Sequence, residues 1–285
     1  MVSQDFIDIR KDCRAIRTSR GQMIYTFEII DNFDFFHGAV EPTLEGGLEL
    51  VDYSQPKLHH VRGYDRHAVL FPSLAEPIET TLQYLAFADL KEGSVALDLG
   101  AYSGLTSILF RDACGDSGRV IAVEADACNI AAARQNFAAY KAATGREIEL
   151  VEGAIWTHNE GITFSGEGGM GSSATAIVGS RGSDTGRVPS ITLSELARRH
   201  GLERVDFVKC DVEGAEAMIF ADGEFFARHL PRMIVEVHPI AGEMTTPQVV
   251  SSLSQFGYEH RVVRQNGIDL PLIECCPAAS PEALR

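Results

Sequence analysis

The chain has 285 residues, enough for one large α/β domain preceded by an N-terminal extension. Apolar residues make up 45% and charged residues 23%, the balance of an ordinary globular protein. A formal net charge of -15 argues against a nucleic-acid backbone or an anionic membrane as partner.

The N-terminus, M-V-S-Q-D-F-I-D-I-R, lacks a basic segment followed by an apolar run. No stretch reaches the ~18 apolar residues of a membrane helix, so a cytoplasmic protein is expected. Cysteines 13, 114, 128, 210, 275 and 276 show no C-x-x-C spacing and read as reduced core thiols. Arg10, Lys11, Arg14 and Arg17 read as one solvated helix face. Residues 23–30 and 48–53 alternate in short runs, without the strand-helix rhythm that follows. His59, His60 and His67 lie in or beside the polar stretch 54–66. Adjacent His59 and His60 would point apart, and no carboxylate or cysteine completes a ligand pattern. A surface loop is expected there, and no metal. Residues 1–74 thus form an extension, setting acceptor choice or homo-oligomer contacts, ahead of a domain over residues 75–285.

Residues 76–87 carry apolar side chains at 78, 82, 85 and 86, a helical period that Lys91-Glu92-Gly93 follows and breaks. Strands are expected near 94–99, 119–124, 148–153, 205–210 and 232–238, with helices between most of them. That alternation predicts a parallel, doubly wound sheet. The first unit reads V-A-L-D-L-G-A-Y-S-G: a strand ending at Asp98, a tight loop with Gly100 and Gly104, then a helix. Such a unit builds a ligand crevice at the carboxyl ends of the strands. Twenty residues beyond Gly104, the second strand ends in Glu124, placed to accept both hydroxyls of a ribose. An acid at a strand end packs little, so removing Glu124 should weaken the ligand and leave the fold intact. The G-x-G-x-x-G fingerprint would need glycines at 102 and 105, where the chain has Tyr102 and Leu105. A pyrophosphate, and with it an NAD-dependent dehydrogenase, is therefore disfavoured. The carboxylate of Asp98 suits a cationic ligand instead. S-adenosylmethionine (SAM), with its ammonium, sulfonium and ribose, fits both acids.

Strands three and four are separated by a long interruption containing G-E-G-G-M-G-S-S at 166–173 and further glycines over 179–186. It reads as a solvent-exposed connector or as a mobile flap over the crevice. Thr192-Leu193-Ser194-Glu195 is a capping box opening the next helix. Strand four, V-D-F-V-K-C-D-V-E-G-A-E, clusters Lys209, Asp211, Glu213 and Glu216 at its carboxyl end. Strand five, M-I-V-E-V-H-P, ends in Glu236 and His238. Charges beside apolar strands cost stability unless paired or used, so these ends are expected to converge with Asp98. Asn266-Gly267 between runs 258–263 and 270–275 predicts an antiparallel hairpin closing the sheet.

In order and spacing, the segments around Asp98, Glu124, Asp211 and Glu236 resemble the FkbM family of SAM-dependent methyltransferases, over roughly residues 76–275. The D-V-E-G-A-E box is the most specific element. The resemblance implies an α/β, class I methyltransferase (Rossmann-like) sheet of seven strands, mostly parallel with the last antiparallel. It implies SAM as cofactor and methyl transfer to a hydroxyl of a sugar or natural product. Carried over residue by residue, Asp98, Gly100 and Gly104 hold the methionine part and Glu124 the ribose. Ala125 or Asp126 flank the adenine, Gly153-Ala154 meet its edge, and Asp211 faces the methyl. The family's first loop reads G-A-N-x-G and its later helix commonly begins L-D, whereas this chain has Tyr102-Ser103 and Leu193-Ser194. Tyr102 thereby joins the methionine pocket. A hydroxyl needs a base as it attacks. His238, with an ordinary pKa near ~6.5, is expected in that role, Asp211 orienting donor and acceptor and Glu236 steering the histidine or the substrate. A methyltransferase-like module that binds SAM or its product without turnover is the alternative.

Overall fold

The computed structural model describes residues 14–18, 20–26, 33–166, 172–178, 184–266 and 270–278. Arg10, Lys11, Cys13, Gly267 and the glycine-rich residues 167–171 and 179–183 lie outside them.

The apolar runs become the central sheet: β1 (Val95–Leu99), β2 (Arg119–Glu124), β3 (Glu149–Glu152), β4 (Phe207–Cys210), β5 (Arg232–Glu236), β6 (Tyr258–Arg264) and β7 (Pro271–Pro277). Their order is β6-β7-β5-β4-β1-β2-β3, and β7 runs antiparallel to both its neighbours. β1 and β4 are almost wholly buried, which is why they read as unbroken apolar runs. The chain leaves β1 towards β3 and then crosses back to β4, so β1 and β4 flank the point where the winding reverses. At such a point the helices diverge and open a crevice. β6 and β7 pair from Tyr258↔Pro277 to Arg264↔Pro271, the predicted hairpin. Thr192 caps the Leu193–Arg199 helix by accepting the Glu195 N–H at 3.2 Å, but the reciprocal half of the capping box does not form, since the Thr192 N–H donates to Asn159 Oδ1 and the Glu195 carboxylate pairs with Arg198 and Arg199.

The N-terminal residues depart from expectation in two places. Arg14 and Arg17 lie on a strand, Arg14–Arg17, within a four-stranded sheet completed by Met23–Tyr25, Thr43–Glu45 and Leu48–Asp52. Ala15 and Ile16 between them are buried, while Arg14 bonds Asp34 and Arg17 bonds Glu45 and Asp52. His59 is not on a surface loop. The Lys57–His59 strand pairs with Val69–Phe71, and the His59 ring is buried 5.0 Å from the Tyr53 ring. His60, its neighbour, is exposed, so the two do diverge. The extension shares a core with the sheet domain: Ile16, Phe33 and Tyr53 belong to one cluster with Tyr102, Phe137 and Tyr140.

The interruption between β3 and β4 folds as well. Ile162–Gly166, Ser173–Ala174 and Asp184–Val188 form an antiparallel sheet, with Phe164 facing both Ala174 and Gly186. Among the described residues no helix is long and apolar enough to cross a membrane.

Candidate active site

β1 and β4 bring the first group of side chains together. The Asp211 N–H donates to the Leu99 carbonyl at 2.9 Å, just beyond the last paired residues. Gly100 has φ of 79°, and a Cβ there would stand 1.7 Å from the Asp211 carbonyl oxygen. Only glycine permits this approach of two backbones. Gly104 is required for another reason, since a Cβ would meet the Phe137 ring at 2.4 Å. It secures helix packing and does not border the cavity described below. Asp98 is also behind the wall. Its Oδ2 accepts from Ser107 Oγ at 2.5 Å, and its Oδ1 is 3.5 Å from Lys209 Nζ. Burial raises its pKa, with Lys209 opposing. Lys209 Nζ donates to the Gly100 carbonyl at 2.7 Å and lies 3.3 Å from Asp211 Oδ2, a buried strut joining the two strand ends.

Tyr102 adopts a left-handed φ of 51°, and its N–H donates to Glu124 Oε2 at 2.7 Å. Its hydroxyl donates to the Leu74 carbonyl at 2.7 Å, and its ring packs in the N-terminal core. The departure from the family's first loop thus ties that loop to the extension, while Tyr102 still borders the cavity. Glu124 is held by three backbone donors, Tyr102 on Oε2 and Ala125 and Asp126 on Oε1 at 2.8 and 2.9 Å. Burial pushes its pKa up to about 7 against those donors. Asp126 is occupied elsewhere: Oδ1 caps the Ala127–Thr144 helix through Cys128 and Asn129, and Oδ2 accepts from Ser172 at 2.8 Å. Ala125, not Asp126, lines the cavity, together with Gly153 and Ala154.

The ends of β4 and β5 supply the second group. His238 is surrounded by acids: Nε2 is 3.6 Å from Asp211 Oδ1, 3.6 Å from Glu213 Oε1 and 3.7 Å from Glu236 Oε1. On the other side of the ring, Nδ1 is 3.4 Å from Glu216 Oε1. Glu216 is fully buried and accepts from the Gly214 N–H, the His238 N–H and Thr245 Oγ1, each at 2.8 Å. Glu236 Oε2 accepts from Gln265 Nε2 at 3.1 Å and from the Tyr84 hydroxyl at 3.3 Å. The expectation of an ordinary histidine is corrected here. Burial would lower the His238 pKa, but the Glu216 carboxylate beside Nδ1 and the charges of Asp211 and Glu213 outweigh it and push it up to about 10. A shift in this direction favours the protonated ring over a free base at neutral pH. Glu213 and Glu236 are driven upward chiefly by burial.

Both groups open into one cavity of about 280 Å³. Gly100, Glu124 and Ala125 border one part, Asp211, Glu236 and His238 another. Sequence reasoning missed several of its walls. Glu76, two residues ahead of the Ile78–Ala88 helix, faces the cavity, and burial pushes its carboxyl up to about 7. Phe35 and Phe36 arrive from the Phe33–Gly38 helix, and Trp156 and Phe164 from beyond β3. Only Trp156, the single tryptophan, carried any signal in the sequence.

A seven-stranded sheet in this order, with its cavity at the carboxyl ends of the strands, defines a class I methyltransferase fold. The family model described as "Methyltransferase FkbM domain" matches residues 98–260, more than half the chain. The chain belongs to the FkbM methyltransferase family, whose methyl donor is SAM. That membership sets the dehydrogenase reading aside. No curated protein matches the chain. Among solved structures, an O-methyltransferase from Bacillus cereus in complex with SAH is similar at 14% identity, over 71% of this chain and 82% of that one, with TM-score 0.43. The fibrillarin of Aeropyrum pernix with natively bound SAM is similar at 17% identity, over 72% and 79%, with TM-score 0.43. The O-methyltransferase TomG from Streptomyces achromogenes is similar at 12% identity, over 72% and 82%, with TM-score 0.43.

Proposed function

We propose that this chain is a SAM-dependent O-methyltransferase acting on a hydroxyl of a small molecule. One observation carries the reading: the acid suited to a ribose, Glu124, and the cluster of Asp211, Glu236 and His238 border the same cavity. Glu124 would accept the ribose hydroxyls with the lone pairs left by its three backbone donors. Gly100, Tyr102 and the backbone around them would take the methionine part, with Asp98 and Lys209 bracing the loop from behind. Ala125, Gly153 and Ala154 would flank the adenine. The methyl group would then lie near Asp211, whose backbone the missing Gly100 side chain admits.

Methyl transfer is an in-line displacement, so holding the nucleophile in line supplies most of the rate. Asp211 and Glu236 would accept the hydrogen bond of the acceptor hydroxyl and aim its oxygen. Phe35 and Phe36 would press on the acceptor's apolar part, and for that reason residues 1–74 are assigned acceptor choice. The test is to supply labelled SAM with a panel of sugars, phenols and aliphatic alcohols, and to measure SAH release and methylated product by mass spectrometry. Asp211→Asn should lower both SAM affinity and turnover. Tight SAM binding with no SAH release from any hydroxyl, amine or thiol would favour the binding module without turnover.

A further inference from the structure

The charges bordering the cavity do not balance. Glu76, Glu124, Asp211, Glu213 and Glu236 all line it, and among the described residues His238 is the one group lining it that can carry a positive charge. Lys209 lies behind the wall, engaged with Asp98 and the Gly100 carbonyl. A bound SAM would add a net charge of about +1, from one sulfonium, one ammonium and one carboxylate. These carboxyl groups sit in a recess where burial makes any negative charge costly.

The geometry around His238 says where compensation fits. The residue is 6% exposed, yet Nδ1 makes no hydrogen bond and Nε2 stands 3.6–3.7 Å from three carboxylate oxygens, beyond hydrogen-bond reach of all of them. An imidazolium satisfied by an acid would close on one oxygen at about 2.7–2.9 Å. Two of these oxygens, from Asp211 and Glu213, and the Nε2 nitrogen are arranged instead like donors around an ion. Donors bound at about 2.0–2.2 Å lie roughly 3–3.6 Å from one another in tetrahedral or octahedral geometry. The ligand atoms of Asp211, Glu213 and His238 already lie within 4.8 Å of one another. Behind the ring, Glu216 Oε1 faces Nδ1 at 3.4 Å and is itself fixed by backbone and Thr245 donors. A carboxylate behind a histidine is the usual support of a metal-binding imidazole, because it orients the ring and fixes the tautomer.

We propose that Asp211, Glu213 and His238 bind a divalent first-row transition-metal ion such as Mn²⁺ or Zn²⁺. The mixture of imidazole and carboxylates suits these ions better than Ca²⁺. The ion takes the place of the proton on Nε2. Its open side faces the cavity, where the acceptor hydroxyl would complete the coordination and have its pKa lowered beside the methyl donor. The purpose of the ion rests on the O-methyltransferase reading; its binding does not.

The full-length protein, stripped with a chelator and dialysed, is titrated with MnCl₂ and with ZnCl₂ by calorimetry, and Mn²⁺ is followed by electron paramagnetic resonance. Saturable binding of one ion per chain is expected. Glu213→Gln, at the rim of the cluster, should weaken it by about tenfold or more while leaving SAH affinity unchanged. Glu152→Gln, on β3 and outside the cavity, should bind as the unsubstituted chain does. No saturable binding of either ion, or binding that Glu213→Gln and Asp211→Asn both leave unchanged, overturns the site. Metal binding of the expected kind without methylation of any hydroxyl keeps the site and removes the O-methyl reading. Full turnover in chelator, by a chain that binds neither ion, does the reverse.

Discussion

Glu124→Ala is the substitution on which the sequence and the structure disagree most. From sequence, an acid at a strand end is dispensable for folding. In the structure its two oxygens receive the N–H groups of Tyr102, Ala125 and Asp126, and the side chain is 7% exposed. Alanine would leave three buried donors without an acceptor, each costing about 1–3 kcal/mol. Water entering the cavity will satisfy part of that demand, so a net loss of about 3 kcal/mol is expected. That is a large share of a typical folding free energy of ~5–15 kcal/mol. Binding should suffer separately, through two charge-assisted bonds to the ribose worth about 1.5–3 kcal/mol each. Affinity for SAM should therefore fall by about 10²–10⁴. Glu124→Gln separates the effects: its carbonyl oxygen can keep Ala125 and Asp126, while its amide cannot accept from Tyr102. It should lose only about 1–2 kcal/mol of stability yet bind SAM nearly as poorly. Urea unfolding read against calorimetry with SAH measures both quantities. An unchanged urea midpoint in Glu124→Ala would refute the structural role, and unchanged SAH affinity the ribose assignment.

Gly100→Ala should abolish measurable SAH binding and lower the melting temperature, because its Cβ would overlap the Asp211 carbonyl oxygen at 1.7 Å; wild-type affinity would show that β1 and β4 are not locked together as described. Amide exchange in Ile162–Gly166 and Asp184–Val188 should slow when SAH and acceptor are both present, since Ile162 and Phe164 line the cavity; equal rates would reduce this sheet to a connector. His59 carries a pKa lowered from 6.5 to about 4 by burial, with the nearby Lys57 charge adding to the shift. A depressed histidine contributes stability that is complete above pH ~6.5 and is lost as pH falls towards ~4. Unfolding free energy should drop by about 2 kcal/mol more between pH 7 and 5 in the unsubstituted protein than in His59→Gln. Parallel pH profiles for the two proteins would contradict the buried neutral ring.

Parts of the molecule governed by local physics were legible in the sequence. Parallel strands buried on both faces must be continuous apolar runs, so β1, β2, β4 and β5 announced themselves, and Thr192 with Glu195 marked a helix start. The β6–β7 hairpin was legible through the Asn266-Gly267 turn signal between two runs. What could not be read depends on meetings between distant segments. The raised pKa of His238 comes from Glu216, which reaches it from the start of the Glu216–Ile219 helix, and from Asp211 and Glu213 on the other side of the ring. Glu76 borders the cavity from the segment just ahead of the Ile78–Ala88 helix, far in sequence from the strand ends it faces. The sheet inside the interruption was hidden because its strands Ile162–Gly166 and Asp184–Val188 are short, contain glycine and carry few apolar residues.

The D-V-E-G-A-E box shows why a motif can be specific without all of its residues touching a ligand. Read along the chain, its three acids form one charged patch. In space they divide. Asp211 and Glu213 turn towards the cavity, the latter from a left-handed φ of 50° that the following Gly214 helps to accommodate. Glu216 turns inward, where its Oε2 fixes the Gly214 N–H and its Oε1 fixes the His238 N–H and Thr245 hydroxyl. One buried carboxylate therefore sets both the loop that aims Glu213 and the strand end that presents His238. A buried acid with three donors is costly to disturb, because any replacement strands several polar groups at once. Spacing within the box is thus dictated by two demands together: acids that face the cavity, and an acid behind them that holds the first two against the histidine.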